Sequence, residues 1–228
     1  VINRFIKQPL AWHEIDTVLL DMDGTLLDLH FDNIFWLEWV PKAYAQQHHI
    51  SIEKAKEQLY EQFAQLRGHL NWYCVDYWTQ ALGLDIESLK KELVHLIHVR
   101  PDVEAFLVAL KKHHKKIYLV TNAHHKSLSL KMDKTGLADY FNDLITSHHF
   151  GVPKENPFFW DQLRARITFD PARTLFIDDS VDVLNSAHAY GIGHVLAIHQ
   201  PDSQQPPRFI ENYAVVEHFR DIMPVDLL

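Results

Sequence analysis

The chain has 228 residues, 47% of them hydrophobic and 12% aromatic, with a formal net charge of −8 at pH 7. That length sustains one large core, or a core with a smaller appended domain. The negative charge excludes a broad basic field of the kind that holds a nucleic-acid backbone, although local donors can still bind a small anion.

The first element is an apolar strand, "TVLLD" (17–21), that ends abruptly in acids: Asp21, Asp23 and Asp28 surround a Gly-Thr pair. From Leu29 to Val99 no strand pattern is found, and the block reads as amphipathic helices. They are "FDNIFWLEWVPKAYAQQ", interrupted at Pro41, and "SIEKAKEQLYEQFAQLRG", running from a Ser51 cap to Gly68. "NWYCVDYWTQALG" follows from Asn71 to Gly83, and "DIESLKKELVHLIH" opens at Asp85. Beyond this block strands and helices alternate. "PDVEAFLVALKKHH" starts with Pro101 near its first turn and ends basic, as the helix dipole favours. The strand "IYLVTN" (117–122) precedes a helix, "SLSLKMDKTGL", that stops at Gly136. The strand "LITS" (144–147) precedes the helix "NPFFWDQLRARI". The strand "TLFIDD" (174–179) precedes "VDVLNSAHAYG", closed by Gly191, and "HVLAI" (194–198) is the fifth strand. The Pro-rich "QPDSQQPPRF" (200–209) reads as a loop, and the C-terminal tail is assigned no element.

Strands that are nearly all apolar, separated by helices, mean a parallel sheet covered on both faces. The expected fold is α/β, a doubly wound Rossmann-like parallel sheet with an all-helical domain inserted after the first strand. Residues 1–28 and 100–228 would form the core and 29–99 the insert, joined near Leu29 and Arg100. No run approaches the roughly 20 apolar residues that span a bilayer. The first dozen residues lack the sustained apolar stretch of a signal peptide. Cys74 is the only cysteine, so no intramolecular disulfide can form. A soluble, cytoplasmic protein is expected, with no membrane and no nucleic-acid polymer as partner. The 17 histidines fall mostly as scattered pairs, among them His124-His125 and His148-His149. Without zinc-type Cys/His spacing they read as solvated side chains, not as a zinc site.

Ligands of open parallel sheets bind outside the carboxyl ends of the strands. That edge should gather Asp21, Asp23, Thr121, Asn122, Asp178 and Asp179, with Lys154 from the loop "FGVPKENP". Each alone has an ordinary explanation as a helix cap, a turn former or a solvated loop residue. Four carboxylates together repel one another unless a positive charge sits among them. Lys154 supplies one. A divalent hard cation is the better candidate, and oxygen ligands without His or Cys favour Mg²⁺.

"DMDGT", "LVTN", Lys154 and "FIDD", in that order, resemble the four motifs of the haloacid dehalogenase-like (HAD) superfamily. The resemblance implies a Mg²⁺-dependent phosphatase in which Asp21 is the nucleophile and carries an aspartyl-phosphate. Asp23 is then the acid/base, protonating the leaving oxygen and later deprotonating water. Gly24 permits a sharp turn, and Thr25 is expected to hydrogen-bond it. Thr121, the Asn122 amide and Lys154 are implied to bind the phosphoryl oxygens. Mg²⁺ is implied to sit on the Asp21 carboxylate, the Asp23 backbone carbonyl and a motif-four acid, with Asp179 favoured as the direct ligand and Asp178 direct or through water. Asp182 reads as a first-turn helix residue. The helical insert is similar to the family's C1-type cap, which closes over the site and selects substrates.

Asp23 sets the chain apart from the true dehalogenases of the superfamily, which lack an acid two residues after the nucleophile. Lys42, Lys54 and Lys56 carry no phosphonatase-type motif. A silent binding protein is disfavoured, because Asp21, Asp23 and Lys154 are all retained. The longer strings "LLDMDGTLLDLHFDNIFWLEWVP", "LNWYCVDYW", "TNAHH", "FGVPKE" and "TLFIDDS" resemble bacterial GMP/IMP-specific 5′-nucleotidases. That resemblance implies a small-molecule substrate, a purine nucleoside 5′-monophosphate. The residues themselves leave open a phosphatase or phosphomutase for small sugar or acid phosphates such as phosphoglycolate. Trp36, Trp39, Trp72, Tyr73, Tyr77 and Trp78 suit the core stripe of helices first and a stacking platform for a base second. Oligomeric state is left undetermined.

Overall fold

Among the described residues six strands form one parallel sheet in the order β3-β2-β1-β4-β5-β6. They are β1 (Thr17–Leu20), β2 (Lys116–Thr121), β3 (Asp143–Thr146), β4 (Thr174–Asp178), β5 (His194–Ile198) and β6 (Ala214–Val216). The computed structural model describes residues 4–6 and 10–224. The first five strands are the expected apolar runs. β6 was not expected: three residues carry no readable periodicity, and the Pro-rich loop rather than a helix leads into it. It pairs with β5 on one side and is bridged by Phe5 on the other.

The block after β1 is helical throughout. α1 (His30–Ile34), a π-helical turn (Phe35–Trp39) and α2 (Val40–His48) follow one another without a break. The interruption expected at Pro41 therefore does not occur. Pro41 enters in the first turn of α2, just after the π-helical turn, where its missing N–H is tolerated. The Leu37 carbonyl four residues earlier accepts the Tyr60 hydroxyl at 2.8 Å instead. α3 (Ile52–Leu66) starts where expected, with the Ser51 hydroxyl accepting from the Lys54 amide at 3.2 Å. The third helix starts later than Asn71. A 3-10 turn over Leu70–Tyr73 comes first, and α4 (Val75–Leu82) begins with the Cys74 sulfur accepting from the Tyr77 amide at 3.4 Å. α5 (Ile86–Glu92) is capped by Asp85.

β-Strand alternation sorts the sheet residues onto two faces. Val18, Leu20, Leu119 and Ile177 pack with α6 (Val103–Lys112) and α7 (His125–Thr135) through Phe106, Leu107 and Leu128. Leu19, Val120, Ile145 and Phe176 pack with α8 (Pro157–Arg166) and α9 (Val181–Tyr190) through Phe159, Trp160 and Leu184. The first cluster continues into the helical segment through Phe31, Phe35, Phe63 and Trp78. Covered on both sides, the central strands β1 and β4 are buried along their whole length.

Register brings the polar ends together. Leu20 lies level with Leu119 and Ile177, so Asp21, one residue on, stands beside Val120 and Asp178. Its amide continues the ladder to the Ile177 carbonyl at 3.0 Å. The loop 200–209 packs on the two passages that join the helical segment to the sheet. The Leu29 amide donates to Pro201 O at 2.9 Å, and Arg100 Nη1 donates to Gln200 O at 2.7 Å and Pro201 O at 3.1 Å. Among the described residues no helix is long and apolar enough to cross a membrane.

Candidate active site

Asp21, Asp23, Thr121, Asn122, Lys154, Asp178 and Asp179, the seven residues expected from the sequence, all line one cleft of about 800 Å³ at the carboxyl edge of the sheet. At its floor the Lys154 ammonium is fully used. Nζ donates to Asp21 Oδ1 at 2.5 Å, Asp178 Oδ2 at 2.7 Å and Val120 O at 3.0 Å, three acceptors for three protons. Burial works against this charge, but Asp178 and Asp21 outweigh it and hold the lysine above its ordinary pKa. Asn122 fixes the loop that carries the lysine. Its Oδ1 accepts from the Lys154 amide at 2.9 Å, and its Nδ2 donates to Glu155 Oε2 at 2.9 Å. Thr121 Oγ1 accepts from the Ala123 amide at 3.0 Å, shaping the turn after β2.

The acids carry more negative charge than Lys154 balances. Asp21 Oδ2 is buried without a hydrogen-bond partner. Burial pushes the Asp21 carboxyl up to about 7, with Asp178 adding to the push against Lys154. Burial, then Asp178 and Asp21, raise Asp179 well above the usual carboxylate range. Carboxylate oxygens of Asp21, Asp178 and Asp179 lie within 4.8 Å of one another. An orphaned oxygen among three crowded, all-oxygen ligands fits a hard divalent cation.

The turn after β1 departs from expectation in one detail. Backbone bonds from Thr25, Leu26 and Leu27 to Met22 O close it, while the Thr25 hydroxyl is buried without a partner. Gly24 is required here twice. Its φ is +83°, and a Cβ would stand 2.8 Å from Asp179 Cγ and 2.9 Å from Pro201 Cβ. Asp182 lies in the first turn of α9, as read from the sequence.

Sequence reasoning missed a second charged layer above the floor. Lys131 of α7 is 1% exposed, and its Nζ donates to Asp23 Oδ1 and Asp32 Oδ2, both at 2.6 Å. Lys90 of α5 is also buried and reaches Asp32 Oδ1 at 3.3 Å. Burial pushes Asp23 up to about 6, with Lys131 opposing and Asp32 reinforcing. A lysine within the buried stripe Leu128, Lys131, Met132 was the available signal. Asp32 and Lys90 gave none, because a solvated helix face explains both. Arg208, from the Pro-rich loop, donates to Asp179 O at 2.7 Å and was equally unmarked.

The upper wall is aromatic. Trp36, Phe63, Trp72 and Tyr73 line the cleft, while Trp78 is fully buried behind them. The Tyr73 hydroxyl donates to Glu155 Oε1 at 2.8 Å, tying the helical segment to the Lys154 loop. The histidines correct one expectation. His124 is buried and its ring stands 4.9 Å from that of the half-buried His148, so neither is a solvated loop side chain; His125 and His149 are exposed. Burial lowers both buried rings, His148 to about 4, so both are neutral at pH 7.

Residues 15–191 match the haloacid dehalogenase-like hydrolase family. The chain belongs to that family. As a haloacid dehalogenase-like hydrolase it is an enzyme, and the expectation of a phosphoric monoester hydrolase stands. It is 39% identical over 215 residues to the GMP/IMP nucleotidase YrfG of Escherichia coli (strain K12), covering 94% of this chain and 97% of that one. A phosphoglycolate phosphatase of Vibrio vulnificus (strain YJ016) is 29% identical over 120 residues, half of this chain and 53% of its own. Among solved structures, a HAD phosphatase from Thermococcus onnurineus superposes with a TM-score of 0.77 at 23% identity, covering 91% of this chain and 95% of the other. That likeness concerns the fold alone.

Proposed function

We propose that this hydrolase is a Mg²⁺-dependent phosphatase of purine nucleoside 5′-monophosphates, GMP and IMP first. The observation that carries the chemistry is Asp21: Lys154 holds one carboxylate oxygen, and the other lies unpartnered in the cleft. The substrate class rests on the likeness to the Escherichia coli GMP/IMP nucleotidase, which spans nearly the full length of both chains, including the helical segment that walls the cleft.

In this reading Asp21 attacks phosphorus in line and the P–O5′ bond breaks, dividing one hard displacement into two easier ones. Asp23 gives a proton to the leaving O5′ and then takes one from the water that cleaves the aspartyl-phosphate. A carboxyl poised at about 6 can act in both directions near neutral pH. Thr121, the Asn122 amide and Lys154 receive the phosphoryl oxygens; Lys154 does so by exchanging one of its three present acceptors, and it keeps Asp21 in position. The Asp21 and Asp179 carboxylates and the Asp23 backbone carbonyl would hold Mg²⁺, with Asp178 in direct contact or through water. The bound ion supplies neutralising charge on the transferring phosphoryl group. Residues 29–99 act as a cap over the core formed by 1–28 and 100–228, turning near Leu29 and Arg100 to admit substrate and exclude water. A chain with one cysteine suits a reducing compartment, and we place it in the cytoplasm.

Phosphate release from GMP, IMP, AMP, CMP, phosphoglycolate and glucose phosphates, with Mg²⁺ and with EDTA, tests this reading. Preference for GMP and IMP, lost in EDTA and in Asp21→Asn, is expected. Turnover of phosphoglycolate alone would keep the mechanism and replace the substrate. No metal-dependent turnover would overturn both.

A further inference from the structure

Cys74 Sγ and one ring nitrogen each from His124 and His148 lie within 4.8 Å of one another. The three come from separate places in the chain: the start of α4, the turn after β2, and the 3-10 turn Ser147–His149 after β3. No linear spacing joins them, which is why the sequence read as free of a zinc site. The His148 Nε2 is buried with no partner, and the His124 ring stands 4.9 Å from that of His148. A bare, buried ring nitrogen beside a thiol and a second imidazole is available to ligate a metal. A buried acceptor with no donor otherwise only costs stability.

We propose that Cys74, His124 and His148 form a second metal site, for a borderline transition cation of the Zn²⁺ class. Thiolate and imidazole suit Zn²⁺, while the all-oxygen group of Asp21, Asp178 and Asp179 suits Mg²⁺, so the two sites select different ions. A tetrahedral Zn²⁺ needs its ligand atoms about 3.3–3.8 Å apart, within a small side-chain adjustment of the present positions. The fourth position falls to water or to Asp76 Oδ2, which stands 3.7 Å from His124 Nε2. Cys74 belongs to the helical segment and both histidines to the sheet edge. A bound ion therefore cross-links the two, and this consequence is independent of the phosphatase chemistry.

The test is a Co²⁺ titration of the full chain, stripped of metal and supplied with Mg²⁺ to occupy the carboxylates. A thiolate-to-cobalt charge-transfer band that saturates at one ion per chain is expected. Cys74 is the only cysteine, so the band has no other source in the protein. Zn²⁺ should displace it, and Zn²⁺ should raise the Tm of the native chain but not of Cys74→Ser. That variant keeps an acceptor for the Tyr77 amide, and His148→Gln, which should also lose the band, serves if it fails to fold. Absence of the band, a band undiminished in both His124→Gln and His148→Gln, or an equal Tm gain in Cys74→Ser would each overturn the site.

Discussion

Lys131 Nζ lies 2.6 Å from Asp23 Oδ1 and shares its remaining charge with Asp32 at the same distance. The ammonium is buried, so it opposes the burial that pushes Asp23 upward without being screened by solvent. Lys131→Met should raise the Asp23 pKa above its value of about 6 and move the acid limb of the kcat–pH profile upward by roughly one unit or more. Lys131→Arg should move it less. A limb that stays in place in Lys131→Met would separate Asp23 from the proton transfer. Removing one member of a buried charge network should also cost about 3–5 kcal/mol of stability, read by denaturant unfolding.

Asp21→Asn keeps the shape of the floor and removes the proposed nucleophile. Turnover should fall by about 10⁴-fold or more, with the fold intact by circular dichroism. Trapping of phosphate on the native chain during turnover, absent in the variant, checks the covalent step directly.

Asp179 is held well above the usual carboxylate range by burial, Asp178 and Asp21. A carboxyl whose pKa is raised on folding favours the folded state at low pH, and that advantage is lost as pH climbs through the raised value. Metal-free Asp179→Asn should therefore be more stable than the native chain, by an amount that is larger at about pH 8 than at about pH 5. Mg²⁺ should stabilise the native chain, by about 2.7 kcal/mol at a hundredfold excess over Kd, and the variant much less. Thermal unfolding with and without Mg²⁺ at both pH values measures all four states.

The position of these acids was legible because it follows from topology alone. Parallel strands place their carboxyl ends on one edge, and apolar runs mark the strands, so Asp21, Thr121, Asn122 and Asp178 are gathered by the sequence pattern itself. The second layer was not legible for the opposite reason. Lys131, Asp32 and Lys90 meet across helix–helix contacts whose rotation depends on packing, and a π-helical turn in the same segment shifts that rotation further. Cys74, His124 and His148 are a third case: their convergence depends on how a 3-10 turn delays the start of α4.

Trp72 lines the cleft and packs at 5.3–6.1 Å from Phe63, Trp36 and Trp78. If its ring is also a platform for the base, Trp72→Leu should raise KM for GMP about tenfold, since stacking contributes about 1–3 kcal/mol per base. Hydrolysis of a small phosphate ester without a base should be nearly unchanged. An equal loss on both substrates would assign the ring to packing.

Gly24→Ala brings a methyl group within 3 Å of Asp179 and Pro201 at a φ of +83°. Such a position costs about 1–3 kcal/mol in backbone strain alone. Activity should fall further than stability does, because Asp179 must move to make room. Mg²⁺ affinity by calorimetry distinguishes displacement of the acid from general unfolding.

The loop 200–209 is bonded at one end to both passages into the helical segment and at the other to Asp179 through Arg208. It also grips α1 directly, since Asn33 Nδ2 donates to Asp202 Oδ2 at 2.7 Å. The proposed swing of the helices about Leu29 and Arg100 would either drag this loop or strip it of those bonds. In the first case the movement would be delivered through Arg208 to the backbone of Asp179. Under the proposed cap movement the loop would act as a tendon, coupling the departure of the lid to the grip on a bound cation.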